Sequence, residues 1–109
     1  MDFDKFQKEA LSTAIYPNRG NNLVYPVLGL VGEAGEVAEK VKKLIRDDDG
    51  VLSDERKELL KKELGDVLWY VAATADEMGL TMSEVAEHTI EKLKSRKERG
   101  VLKGDGDTR

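Results

Sequence analysis

Two pairs of acidic residues, spaced alike in two separate parts of the chain, are the residues most able to carry chemistry. The pairs are Glu33 with Glu36, and Glu63 with Asp66. A spacing of three residues places both carboxylates on the same side of an α-helix, one turn apart. Each pair has a glycine directly before its second acid and a valine directly after it, so the two segments form an internal repeat.

The surrounding apolar residues indicate that these carboxylates face an interface. On a helical wheel Glu63 lies inside an apolar stripe and Asp66 at its edge. Glu33 likewise lies inside a stripe, with Glu36 just outside. Carboxylates at such an interface lose hydration and repel one another, which costs several kcal/mol per ion unless it is compensated. They must therefore be protonated, paired with cations or bound to a metal, and two matched pairs favour the metal, with Glu39 as a candidate fifth ligand.

The composition decides which metal is compatible with such a site. The chain has no cysteine and one histidine, His88, which excludes disulfides, thiolate metal sites, cysteine nucleophiles and multi-histidine centres. Its 22 Asp and Glu residues outnumber 18 Lys and Arg residues, giving a net charge of −4. Carboxylate ligands select hard cations, so we expect Mg²⁺, or Mn²⁺ in its place. The acidic balance argues against a nucleic-acid duplex as the main partner.

Cations and aromatic residues elsewhere in the chain are candidates to complete a site. Lys92 and Arg96, four residues apart, suit a polyphosphate held beside a metal, although they also complement a helix dipole. Tyr70, one turn after Asp66, lies close enough to border the metal pocket and stack on a base. Trp69 points to a different side and predicts a subunit contact or a base pocket built across subunits. Both aromatic residues could equally serve packing alone.

The elements that position these residues are all predicted to be helices. They run from about Asp2 to Ile15, from Asn22 or Pro26 to Arg46, from Ser53 to Met78, and from Thr81 to about Arg99. The fold class is therefore all-α, with two long central helices that carry the acidic motifs. A helical glycine costs roughly 1 kcal/mol relative to alanine, so Gly35 and Gly65 predict a close approach of these two helices.

Length and segment composition predict one domain over residues 1–100 and a flexible, Gly- and charge-rich tail over 101–109. No apolar run approaches the roughly 18 residues of a membrane span, and the N-terminal residues do not resemble a signal peptide. We therefore expect a cytoplasmic protein without a membrane partner. One short four-helix chain has a limited core, which favours a homo-oligomer.

The segment 28–39, LGLVGEAGEVAE, followed by ELGDVLWY at 63–70, resembles the MazG-like nucleotide pyrophosphohydrolases of the all-α NTP pyrophosphatase superfamily. Their signature is Glu-x-x-Glu, a variable spacer and Glu-x-x-Asp, and the resemblance extends from the first helix to about Gly100. It implies a four-helix MazG fold that assembles as a dimer or a dimer of dimers, with sites near subunit interfaces. It also implies hydrolysis of a nucleoside triphosphate to the monophosphate and pyrophosphate.

The resemblance further implies roles for single residues. The expected Mg²⁺ ligands are Glu33, Glu36, Glu63 and Asp66. The segment from Lys92 to Arg96 is similar to the family's phosphate-contacting region. Catalysis is expected to depend on Glu63 and on Glu36, which could orient or deprotonate the attacking water.

Two other functions stay open from the sequence. One is a non-catalytic helical module that senses a nucleotide or acts as a scaffold. The other, within the superfamily, is a phosphoribosyl-ATP pyrophosphatase. Housecleaning of aberrant nucleotides, control of a dNTP pool and removal of alarmones are all compatible physiological roles.

Overall fold

The computed structural model describes residues 1–109 and contains four α-helices and no strand, which confirms the all-α prediction. The helices are α1 (Phe3–Leu11), α2 (Val24–Asp47), α3 (Asp54–Glu77) and α4 (Met82–Glu98). The two 24-residue helices, α2 and α3, carry the acidic motifs, as predicted. None of the four helices combines the length and the apolar character needed to cross a membrane.

Local side-chain chemistry explains where most of the helices begin and end. Three N-cap side chains accept a hydrogen bond from the backbone N–H three residues on, as the sequence predicts; they are Asp2, Ser53 and Thr81. The first helix ends at Leu11 rather than at the predicted Ile15. The hydroxyls of Ser12 and Thr13 donate to backbone carbonyls one turn back, and such bonds compete with continuation of the helix.

The two long helices form an antiparallel hairpin, against which the shorter helices pack unequally. α1 contacts α3 and α4, and α4 contacts α1 and α3, but α4 makes no contact with α2. A small core lies between α1 and α3, where Leu11, Tyr16 and Ala73 are buried and Trp69 packs against them. The acidic motifs are therefore held by α2 and α3 alone.

Gly29 on α2 lies directly against the ring of Tyr70 on α3, a contact that the sequence did not predict. A Cβ atom at Gly29 would lie 2.1 Å from Cε1 of Tyr70, whereas one at Gly35 or Gly65 would meet nothing within 4 Å. The prediction that Gly35 and Gly65 mark a close approach is wrong within the single chain. The contact between the two helices lies nearly two turns earlier on α2, where the Tyr70 ring fills the space that a side chain at Gly29 would need.

Glu77, at the end of α3, organises the loop of residues 12–23 between α1 and α2. Its carboxylate accepts hydrogen bonds from Tyr16 Oη at 2.6 Å, Gly20 N at 2.8 Å and Asn22 N at 3.1 Å. These hydrogen bonds lower the pKa of Glu77 below its usual value, and the bond from Tyr16 has the largest effect. Burial and then the bond to Glu77 raise the pKa of Tyr16 to about 12. No motif in the sequence pointed to Glu77, whose partners lie 55 to 61 positions away.

We expect the Glu77→Gln variant to have a lower Tm at neutral pH, because an amide accepts these bonds more weakly than a carboxylate. A carboxylate with a depressed pKa stabilises the fold above its unfolded pKa of about 4.3, and this contribution is lost as the pH falls through the lower folded pKa. The difference in Tm between wild type and variant should therefore narrow below about pH 4. Circular-dichroism melts over this range test it, with the exposed Glu87→Gln on α4 as a control. A difference that stays constant at acid pH would contradict the role of the ionised carboxylate.

Candidate metal centre

Three carboxylates meet where α2 faces α3. Glu33, Glu63 and Asp66 each place one oxygen so that all three oxygens lie within 4.8 Å of one another. Glu33 and Glu63 are half-buried and Asp66 is exposed, so the group opens to solvent on one side. A set of carboxylate oxygens of this kind suits a hard divalent cation such as Mg²⁺ or Mn²⁺. The structure thus brings together three of the four acids that the sequence predicted as ligands.

The raised pKa of Glu33 indicates that negative charge is concentrated at this centre. Burial raises the pKa of Glu33, and the charges of Asp66, Glu63 and Glu36 raise it further. Both causes disfavour the ionised carboxyl. A divalent cation among these oxygens would relieve the mutual repulsion, so the donor set fits such an ion both by its chemistry and by its charge.

The other two predicted acids of α2 lie outside the group of three. Glu36 is exposed, although its charge still acts on Glu33. Glu39 is exposed and pairs with Lys42 at 2.9 Å, and the hydrogen bond to Lys42 lowers the pKa of Glu39. The assignment of Glu36 as a metal ligand and base stays a prediction. Glu39, the candidate fifth ligand, has a lysine partner of its own.

Two aromatic side chains border the carboxylates. Trp69 and Tyr70, together with Glu33 and Asp66, line an open pocket of about 300 Å³. The two rings meet edge to face, with their centroids 5.0 Å apart. Trp69 therefore lies on the same side as Tyr70 rather than pointing away, and its Nε1 donates to the carbonyl of Ala10 at 3.1 Å. One edge of the indole is thus fixed by packing while the residue still lines the pocket.

The predicted phosphate-binding residues lie on α4, which does not contact α2. Lys92 is exposed, and Arg96 is buried, with its Nη2 donating to the Asp107 carbonyl at 2.6 Å. The guanidinium of Arg109 donates to three carbonyls within residues 101–109, predicted as a flexible tail, and the bond from Arg96 to Asp107 joins this tail to α4. Neither Lys92 nor Arg96 forms an ion pair with the three carboxylates, and their role in phosphate binding stays a prediction.

Comparison with known proteins identifies the fold. Residues 26–101 match the model of the MazG nucleotide pyrophosphohydrolase domain. The chain belongs to the MazG family. The matched segment contains all four predicted acids of this MazG domain and the α4 cations, which confirms the family resemblance drawn from the two acidic motifs.

A relative is found across the whole length of the chain. The "Gene 37 protein" of Mycobacterium phage L5 is 49% identical over 114 aligned positions, covering all of both chains. Its name states no activity. No solved structure matches this MazG domain significantly.

One cation beside the carboxylates was missed by sequence reasoning. The Nζ of Lys40 lies 4.0 Å from Oε1 of Glu63. Lys40 follows Glu33 by seven residues, or about two helical turns, which places both residues on one face of α2. The helical wheel that located the acids could therefore have found it. This MazG domain thus has an ammonium group within its own hairpin, close to the candidate metal ligands.

Proposed function

We propose that this protein is a Mg²⁺-dependent nucleoside triphosphate pyrophosphohydrolase that converts an NTP or dNTP to the monophosphate and pyrophosphate. The observation that carries the proposal is the convergence of Glu33, Glu63 and Asp66 on the facing sides of α2 and α3. Membership of the MazG family supports a reaction of this class. Mn²⁺ is a suitable substitute, because it accepts the same oxygen ligands.

The roles of the acids follow from where their carboxylates lie relative to the group of three. Glu33, Glu63 and Asp66 would hold the cation, and Glu36 would be the fourth ligand. Bound there, the ion would supply electrostatic stabilisation of charge that develops on the phosphate oxygens. Glu36 is the exposed acid next to the group, which suits it to orient the attacking water and to accept its proton.

The aromatic pocket next to the acids supports recognition of a nucleotide rather than of inorganic polyphosphate. Trp69 and Tyr70 share its wall with two of the carboxylates, so a base held against the rings has its phosphates near the metal ligands. Aromatic faces stack on any base. The pocket therefore supports a nucleotide substrate and leaves the choice of base to the assay.

We also propose that the protein is a homo-oligomer, a dimer or a dimer of dimers. The chain exposes 7912 Å², whereas a compact monomer of this mass would expose about 6,100 Å². Its radius of gyration is 16.9 Å, against about 13 Å for a compact domain of this length. Val24, Leu28 and Val31 on α2 are each 66% exposed. A second copy would cover such residues, and its α4 would offer the exposed Lys92 to the phosphates, whereas Arg96 is buried and bonded to Asp107.

A substrate panel tests the proposed reaction. The protein is incubated with Mg²⁺ and each of the NTPs, the dNTPs, oxidised nucleotides and phosphoribosyl-ATP, and the products are separated by ion-exchange chromatography. We expect pyrophosphate and a monophosphate in equal amounts, and no reaction with EDTA. Turnover of phosphoribosyl-ATP alone would favour that narrower activity. Release of orthophosphate alone, or binding without any turnover, would contradict the proposal, and the second result would favour a nucleotide-sensing module.

A further inference from the structure

Lys40 faces the acid group from α2. Its Nζ lies 4.0 Å from Oε1 of Glu63, a distance at which the charges interact without a hydrogen bond. The two side chains are 27% and 17% exposed, so the pair is more shielded from solvent than a typical surface ion pair. Lysine has a long stem and a compact ammonium group, which allows its charge to move between partners without movement of the helix.

The other ion pairs near the hairpin do not involve the acid group. They are Lys42 with Glu39, Arg46 with Asp47, Arg56 with Asp48, Lys57 with Asp54, and Lys61 with Glu58. Lys40 is therefore the cation that forms an ion pair with one of the three converging carboxylates. It offsets part of a charge that Glu33, Glu63 and Asp66 share.

A divalent cation and Lys40 would compete for the same carboxylate. Each is attracted to Glu63, and like charges at such short range repel one another. Binding of the metal therefore weakens the hold of Glu63 on the ammonium and leaves Lys40 free for another anion. The nearest anion that the proposed function provides is the phosphate chain of the nucleotide.

The order of groups along the hairpin indicates which phosphates of the nucleotide would reach Lys40. Tyr70 lies against Gly29 at one end, the carboxylates follow, and Lys40 lies beyond Glu33 on the same face of α2. A nucleoside triphosphate has its base at one end and its outer phosphates at the other. With the base at the aromatic pocket, the outer phosphates extend towards Lys40.

We propose that Lys40 is an exchangeable counter-ion of this centre, which neutralises Glu63 without metal and contacts the outer phosphates of the substrate once a divalent cation is bound. The counter-ion role involves the divalent cation alone, without nucleotide. The contact with the outer phosphates rests on the proposed pyrophosphohydrolase function. This contact would lie on the hairpin itself, separate from the cations of α4.

Binding of Mn²⁺ without nucleotide, measured by isothermal titration calorimetry, tests the counter-ion role of Lys40. We expect Lys40→Met to bind Mn²⁺ about 3- to 10-fold more tightly than wild type, because a competing charge is removed. Lys40→Arg keeps the charge and should bind Mn²⁺ about as wild type does. The matched control is Lys61→Met, which removes an exposed lysine paired with Glu58 on α3 and should change nothing. An unchanged or weaker Mn²⁺ affinity in Lys40→Met would overturn the counter-ion role.

The phosphate contact of Lys40 is tested by steady-state kinetics on a substrate that the panel identifies. We expect Lys40→Met to raise KM about tenfold, with a smaller change in kcat, and Lys61→Met to leave both unchanged. An unchanged KM would overturn the phosphate contact. Lys40→Gln, also measured for both properties, provides a polar variant if the methionine variant does not fold. If no nucleotide is turned over by wild type, the proposed function fails, while the Mn²⁺ measurement still decides the counter-ion role.

Discussion

Replacing Glu63 with glutamine is expected to lower kcat/KM for Mg²⁺-dependent hydrolysis by about 100-fold or more. Glu63 is one of the three carboxylates that converge between α2 and α3, and it is half-buried. Glutamine keeps the size and the helix propensity of glutamate but removes the negative charge on which a divalent cation depends. The loss should therefore lie in metal binding and turnover, not in folding.

Three measurements make this result specific. Circular dichroism should give the same helical content for Glu63→Gln and wild type, and Mn²⁺ titration should show weaker binding by the variant. The control is Glu58→Gln on the same helix, which removes an exposed acid paired with Lys61 and should keep wild-type activity. Activity of Glu63→Gln within tenfold of wild type would contradict the assignment of the centre.

The second large effect is expected at Gly29, where alanine should destabilise the protein by roughly 2 kcal/mol. The added Cβ would lie 2.1 to 2.5 Å from three ring atoms of Tyr70, well inside an ordinary carbon contact of about 3.5–4.0 Å. Helix propensity favours alanine by about 1 kcal/mol, but the overlap outweighs it because Trp69 packs against the Tyr70 ring. A loss of this size corresponds to a fall in Tm of about 10 °C.

Thermal melts of matched variants separate the contact from propensity. Gly32→Ala lies one turn later on α2, where an added Cβ meets nothing within 4 Å, and it should raise stability by up to about 1 kcal/mol. Adding Tyr70→Leu to Gly29→Ala should recover part of the loss, because the smaller side chain leaves the space free. If Gly29→Ala is as stable as Gly32→Ala, the hairpin does not depend on this contact.

Features of this fold that depend on neighbours in the chain could be predicted from the sequence. The N-caps Asp2, Ser53 and Thr81 were found because a cap and the amide that it accepts from are three residues apart. The acidic pairs were found for the same reason, since a three-residue spacing fixes a shared helix face. The convergence of Glu33 with the second pair was inferred from the matched pattern.

Features that depend on which helices touch could not be predicted in this way. Glycine at 35 and 65 looks the same in sequence as glycine at 29, yet only the last faces an aromatic ring across the hairpin. The separation of α4 from α2 is likewise a property of packing, not of periodicity. Glu77 joins a helix end to a loop more than 50 positions earlier, and no local pattern records such a contact.

The small interior of the chain has a consequence for how the protein behaves in the test tube. The single chain buries ten of its 109 residues, so most of its apolar side chains can leave water only against another molecule. If other copies provide that cover, assembly and folding share one equilibrium, and Tm rises with protein concentration. Specific activity would then fall on dilution, and initial rates would increase more steeply than in proportion to the amount of enzyme added.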